Sequence, residues 1–261
     1  MGETKGGGKG SKKGPKVWIG ALILVAPGAH AGETRCWLDK GAVVAPAVFG
    51  DIAGDFLLDL SRPVSALHNT RANADGLTGD EATRALSLAG ERLGSVNLPI
   101  VDLDPQTRGF DTTINGVLGA DIARGRVLTL DFRHGGCRLG LTGRRPLPRG
   151  ARMKIDYVEG VPAIHALISD GVKTRAGLFA LDTAQGATII TKGRLSRPDT
   201  ATAQVRLRAL EMAGRLFEQI PAQVASEPGS LSGAIGTAIL AHGHLTLDGT
   251  RAVLVVTLPK P

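Results

Sequence analysis

Two aspartates stand at the same place in two similar strings, Phe56-Leu57-Leu58-Asp59-Leu60-Ser61 and Phe179-Ala180-Leu181-Asp182-Thr183-Ala184. A positioned carboxylate serves as a general acid or a general base, so this recurrence is the first candidate for chemistry. The other candidates are weaker. His242 and His244 flank one residue, a spacing that puts two imidazoles on one face of a strand, but no cysteine or carboxylate sits beside them at ligand spacing. They read as strand-end histidines. Asp131 and Asp248 close two Leu-Thr-Leu-Asp strings and read as turn-initiating acids. The glycine-rich stretch from Gly6 to Lys12 lacks the G-x4-G-K-[ST] spacing of a phosphate loop, and no Gly-x-Ser-x-Gly elbow is present. Neither a metal nor a cofactor is expected.

The two aspartate strings belong to a longer repeat. Ser87-Leu88-Ala89-Gly90 is echoed by Glu211-Met212-Ala213-Gly214, and Leu98-Pro99-Ile100-Val101 by Ile220-Pro221-Ala222-Gln223-Val224. Gly116-Val117-Leu118-Gly119-Ala120-Asp121-Ile122 is echoed by Gly233-Ala234-Ile235-Gly236-Thr237-Ala238-Ile239, and Leu128-Thr129-Leu130-Asp131 by Leu245-Thr246-Leu247-Asp248. Five landmarks in the same order identify a duplicated unit. Arg144–Gly150, charged and proline-rich, reads as the linker between lobe 1 (38–143) and lobe 2 (151–261). Short alternating or β-rich runs, among them Val127–Phe132, Lys154–Val158, Val161–Ile168 and Val253–Leu258, predict an all-β chain. One helical turn per lobe is expected, at Ala120–Ala123 and Thr237–Leu240.

The chain has 261 residues and a formal charge of +7. Residues 1–16 hold five lysines against Glu3, a net +4 of that total. The apolar run Val17–Pro27 follows, then Ala29-His30-Ala31. A basic segment, a short apolar segment and a small-x-small site describe a secretory signal peptide over 1–31, cleaved after Ala31. The alternative is an uncleaved N-terminal anchor. Export to the periplasm or beyond, with no stable membrane span after cleavage, is the expectation. In an oxidising compartment the only two cysteines, Cys36 and Cys137, are expected to bridge, the alternative being two separate buried thiols. Nine aromatic residues leave little for stacking bases, and the basic charge sits mostly in the leader, so no nucleic-acid partner is expected.

The repeated unit, apolar-apolar-Asp, a hairpin region, Gly-apolar-apolar-Gly and Leu-Thr-Leu-Asp, resembles the aspartic peptidases of the pepsin and retropepsin type. It looks most like bacterial exported members with two lobes in one chain. The resemblance covers nearly all of the mature chain. It implies a bilobal fold of two related β-barrel-like lobes with a cleft between them. It also implies a catalytic pair, Asp59 and Asp182, that shares one proton and activates a water. Thr183 and Ala184 match the family's Thr and Gly positions, with Ala as a small replacement. Lobe 1 departs from the pattern. Leu60 has no hydroxyl to tie the two loops, and Ser61 puts a side chain where the family has Gly, which would crowd the loop. The resemblance further implies a hairpin of lobe 1 folded over the cleft, matched by Ala74–Ala85 with Gly76 and Gly79 at its tip.

The expected function is an aspartic-type endopeptidase acting as a monomer on peptide or protein substrates. The alternative is an inactive relative that binds a peptide or protein partner in the same cleft.

Overall fold

The computed structural model describes residues 1–3, 32–195, 204–225 and 230–259. The expected leader, beyond residues 1–3, lies outside the described residues, and so, apart from Gln204, does Pro198–Gln204, the glycine-free lobe 2 equivalent of Ala74–Ala85 in the sequence.

The first half of the chain forms β1 (Glu33–Asp39), β2 (Ala42–Phe49), β3 (Ile52–Leu58), β4 (Ala66–His68), α1 (Asn69–Ala74), β5 (Glu81–Leu88), β6 (Glu91–Val101), α2 (Asp104–Thr107), β7 (Ile114–Leu118), β8 (Val127–Asp131) and β9 (Cys137–Thr142). The second half forms β10 (Ala151–Lys154), β11 (Asp156–Val158), β12 (Val161–Ser169), β13 (Thr174–Leu181), β14 (Thr188–Ile190), β15 (Gln204–Met212), β16 (Arg215–Val224), β17 (Gly233–Ile235), α3 (Thr237–Leu240), β18 (His244–Asp248) and β19 (Val253–Thr257).

Each half closes a six-stranded barrel. The order β2-β3-β7-β4-β6-β5 is closed by β2 on β5, and the order β12-β13-β17-β14-β16-β15 by β12 on β15. Equivalent strands bury the same positions: β2 and β12 both run buried for four residues and then alternate. Such a pattern fits a strand that starts between two layers and continues with one face outward. The hairpins β5–β6 and β15–β16 turn at Ala89-Gly90 and Ala213-Gly214, all four with positive φ. Two consecutive left-handed residues match the twist of a tight hairpin, so this sequence echo is a turn echo.

A third sheet, β10-β19-β18-β8-β9-β1, joins the halves beneath the barrels. At its centre β8 pairs with β18 antiparallel, Thr129 opposite Thr246, with Leu130 opposite Leu245 and Leu128 opposite Leu247. That pairing is symmetric, so a pseudo-two-fold axis passes through the Thr129–Thr246 pair. One apolar core runs from lobe 1 through this sheet into lobe 2. Cys36 and Cys137 are register partners on β1 and β9 and form a disulfide, with Cα atoms 4.8 Å apart. No helix among the described residues is long and apolar enough to cross a membrane.

The expected hairpin at Ala74–Ala85 is not there. The chain instead makes α1, ends it with Gly76 at φ +76°, and passes Gly79 in a bend before β5 begins at Glu81. The local cause is at the helix start, where the Thr70 N–H donates to His68 Nδ1 (3.3 Å) and to Asn69 Oδ1 (2.6 Å). A side chain that accepts from the N–H two residues on, as His68 does here, caps a helix start.

Candidate active site

Asp59 follows β3 and Asp182 follows β13, and the two loops repeat each other bond for bond. The Asp59 N–H donates to Leu118 O and the Asp182 N–H to Ile235 O, each at 2.9 Å. Further along, the Ala120 N–H donates to Arg62 O (2.8 Å) and the Thr237 N–H to Gln185 O (2.9 Å). Gly119 and Gly236 make this possible. A Cβ on Gly119 would lie 2.7 Å from Val64 C, and one on Gly236 2.4 Å from Ala187 O, so neither position admits a side chain.

The two carboxylates are held differently. Asp59 Oδ1 accepts from the Ser61 N–H (3.0 Å) and from the Ser61 hydroxyl (2.6 Å). Asp182 Oδ1 accepts from the Ala184 N–H (2.9 Å), and its Oδ2 accepts from the Gln185 amide. Ser61 therefore does not crowd the loop as expected; its hydroxyl turns onto Asp59. Gln185 was not singled out in the sequence, and its only signal there is its place three residues after Asp182. Ser65 and Asp121 were also missed. The Ser65 hydroxyl donates to Asp121 Oδ1 (2.6 Å) and accepts from the Gly119 N–H (2.9 Å), fixing the glycine under the lobe 1 loop.

The loops are tied across the lobes from one side. Thr183 Oγ1 donates to Leu58 O (2.7 Å) and accepts from the Leu60 N–H (3.1 Å). Leu60 offers no return bond. Its side chain, 2% exposed, packs with Leu128, Leu130, Leu181 and Leu245 around a small void under the loops. Two more bonds cross between the lobes, from the Val43 N–H to Thr183 O (2.7 Å) and from the Thr237 hydroxyl to Gly41 O. Replacing Thr183 by Val is expected to cost about 2–3 kcal/mol, because a buried N–H and a buried C=O lose their partner. Thermal unfolding checks it, with a fall in Tm of roughly 5–10 °C.

Asp182 is 4% exposed. Burial, and then the charge of Asp59, push its carboxyl up to about 6, against the weaker pull of the Gln185 and Ala184 bonds. An acid whose pKa rises on folding holds its proton more tightly in the folded chain. Its contribution is complete below the ordinary carboxylate range and is lost as pH climbs from about 4 to 6, by about 3 kcal/mol. The difference in urea unfolding free energy between the wild type and Asp182→Asn should therefore change between pH 4 and pH 7. A difference that stays constant contradicts it.

The fold is similar to that of a solved structure. The crystal structure of aspartic proteinase from Irpex lacteus matches with a TM-score of 0.57 at 13% sequence identity, over 88% of this chain and 97% of that one. The chain has the bilobal aspartic-protease fold. No protein-family model matches the sequence, and no curated protein matches it. Within the aspartic-protease fold, Asp59 and Asp182 occupy the equivalent loops of the two lobes. A cavity of about 610 Å³ lies on lobe 1, lined by His68, Arg71, Asp104, Phe110, Ile114 and Asn115. Phe110 and Ala184 of the Asp182 loop both pack against the small apolar cluster that contains Ile114.

The remaining candidates have other partners. Asp131 accepts from the Arg133 N–H and Asp248 from the Thr250 and Arg251 N–H groups, the bonds of turn-initiating acids. His242 packs edge-on against Phe217, and His244 lies opposite Asp131. Among the described residues no cluster of three His, Cys, Asp or Glu has the arrangement of a metal site.

Proposed function

We propose that this chain is an aspartic-type endopeptidase with Asp59 and Asp182 as its catalytic pair. The observation that carries the reading is the equivalence of the two carboxylates on loops with matching backbone bonds, one of them raised by burial and then by the charge of the other. Two coupled carboxylates resist ionising together, so at acid pH they share one proton. Below about pH 6 the buried Asp182 keeps that proton and Asp59 is the base. A water held between them gives a proton to Asp59 as its oxygen attacks the peptide carbonyl, while Asp182 protonates the carbonyl oxygen. Collapse of the tetrahedral intermediate expels the amine, which takes the proton held by Asp59, while one hydroxyl of the intermediate returns its proton to Asp182, leaving a carboxylic acid, an amine and the pair again with one proton. Ser61 and Gln185 orient the two carboxylates, and Thr183 keeps their loops together. Leu60 and Ala184 are the apolar packing around them.

The proposal includes the organisation read from the sequence: a leader over 1–31, lobes over 38–143 and 151–261, and a linker over 144–150. The Cys36–Cys137 bridge supports an oxidising compartment.

The second reading, a cleft that binds a peptide or protein without cleaving it, is favoured by the one-sided tie at Leu60. A mixed peptide library incubated with the protein between pH 3 and pH 8 separates the two. New peptide termini, most abundant below about pH 6, support the enzyme. Peptides retained by the protein but intact at every pH support the binder.

A further inference from the structure

The joining sheet has two faces. Leu128, Leu130, Leu245 and Leu247 point toward the catalytic loops, so the alternate residues of the same strands point away from the cleft. That outward face is basic. Between Phe132 and Ile155 the sequence carries seven arginines and lysines and no Asp or Glu. The linker crosses this face, held by its backbone: Thr257 Oγ1 donates to Arg149 O (2.8 Å) and the Arg251 guanidinium to Arg145 O (3.2 Å). Arg144 and Arg149 are exposed on it, and Arg152 and Lys154 extend it along the edge strand β10. At the other edge Arg35 and Arg138 are direct register partners on β1 and β9, both exposed. Like charges directly opposite each other on neighbouring strands destabilise a sheet, so this pair has no structural rationale. The acids nearby include Glu91, beside Gly32 at the β1 edge, and Glu211, which lines a groove with Arg152; the others are engaged. Asp131 holds Arg133, Asp156 holds Lys154, and Asp248 is buried on Arg251, while Glu33 lies 3.9 Å from Arg138.

We propose that this cleft-opposite face docks the protein on an anionic lipid bilayer, with the cleft turned away from the membrane. The charges are spread over a broad surface of strands and linker rather than gathered into one fork, which suits many headgroups better than one bound anion. The outward positions of the sheet carry no Phe, Tyr or Trp ring on which nucleic-acid bases would stack.

Vesicle co-sedimentation of the full chain tests it, with vesicles of phosphatidylcholine alone and with 30 mol % phosphatidylglycerol added. Binding is expected to the anionic vesicles and to fall in 0.5 M salt. Near a membrane each such charge is worth about fivefold in affinity, so Arg144→Ala/Arg145→Ala/Arg149→Ala together should lose on the order of 100-fold. The linker keeps its carbonyl bonds in that variant, and an unchanged Tm verifies the fold. A control that removes three exposed charges elsewhere, Arg84→Ala/Lys173→Ala/Arg208→Ala, should stay within about twofold of the wild type. Equal losses in the two triple variants, or equal binding to neutral and anionic vesicles, overturn the proposal. So does a DNA duplex bound more tightly than the anionic vesicles at the same salt and lost in the linker triple variant, which would assign the face to nucleic acid.

Discussion

A Cys36→Ser/Cys137→Ser protein is expected to be less stable than the wild type by about 2–5 kcal/mol. The bridge joins residues 101 positions apart, and closing a loop of that length removes about 4–5 kcal/mol of chain freedom from the unfolded state in the entropic account. Its position adds to the effect. Cys36 is the last residue of β1 paired with β9, and at Trp37 the strand crosses to β2 and joins the lobe 1 barrel. The bond therefore fastens the joining sheet at the point where one strand leaves it. Both cysteines are buried in the continuous core, so their loss also removes packed volume. Urea unfolding of the double variant, compared with the wild type with and without reductant, measures the difference directly. The reduced wild type should approach the variant, and a loss below about 1 kcal/mol contradicts this account of the bridge.

Asp59→Asn and Asp182→Asn are each expected to lower kcat for peptide cleavage by at least about 10³-fold, with KM changed little. An amide can neither take the water's proton nor supply one to the carbonyl, while its size and most of its hydrogen bonds are those of the carboxylate. The two residues act as one unit, so the double variant should be scarcely worse than either single one. The variants differ in stability. Asp182→Asn removes a buried acid that is charged at pH 7, and should hold or raise the Tm there. Asp59 is half-buried, and its variant loses less of such a penalty. A fall in activity that tracks a fall in Tm would indicate unfolding rather than lost chemistry, and circular dichroism at the assay temperature distinguishes the two.

The repeat was legible because duplication leaves apolar strings, turn glycines and aspartates in the same order, and strand pairing about Thr129 and Thr246 turns that order into a two-fold axis. The expected disulfide is present because the register of β1 on β9 sets Cys36 against Cys137. Local conformation was less legible. Gly76 and Gly79 carry the signal of a turn, but a turn residue ends a helix as readily as it tips a hairpin, and bonds at His68 and Asn69 decided for the helix. Ser61 was identified by type and misjudged by direction, since χ1 alone determines whether its hydroxyl crowds the loop or reaches Asp59. The charge was misplaced for a different reason. A net count assigns most of +7 to the first sixteen residues, and it hides how far the remaining acids and bases are segregated in space. Strand alternation and the path of the linker gather the bases of residues 133–154 on one side of the molecule.

Cleavage of one library-derived peptide by the wild type, Asp59→Asn and Asp182→Asn, followed from pH 3 to pH 8, tests the central claim most directly. The wild type should cleave with a rate that falls as pH rises through about 6, where Asp182 gives up the shared proton. Both variants should leave the peptide intact at every pH while remaining folded. Cleavage that persists in either folded variant, or a wild type inactive across the whole range, would contradict the assignment of the two aspartates as a catalytic pair.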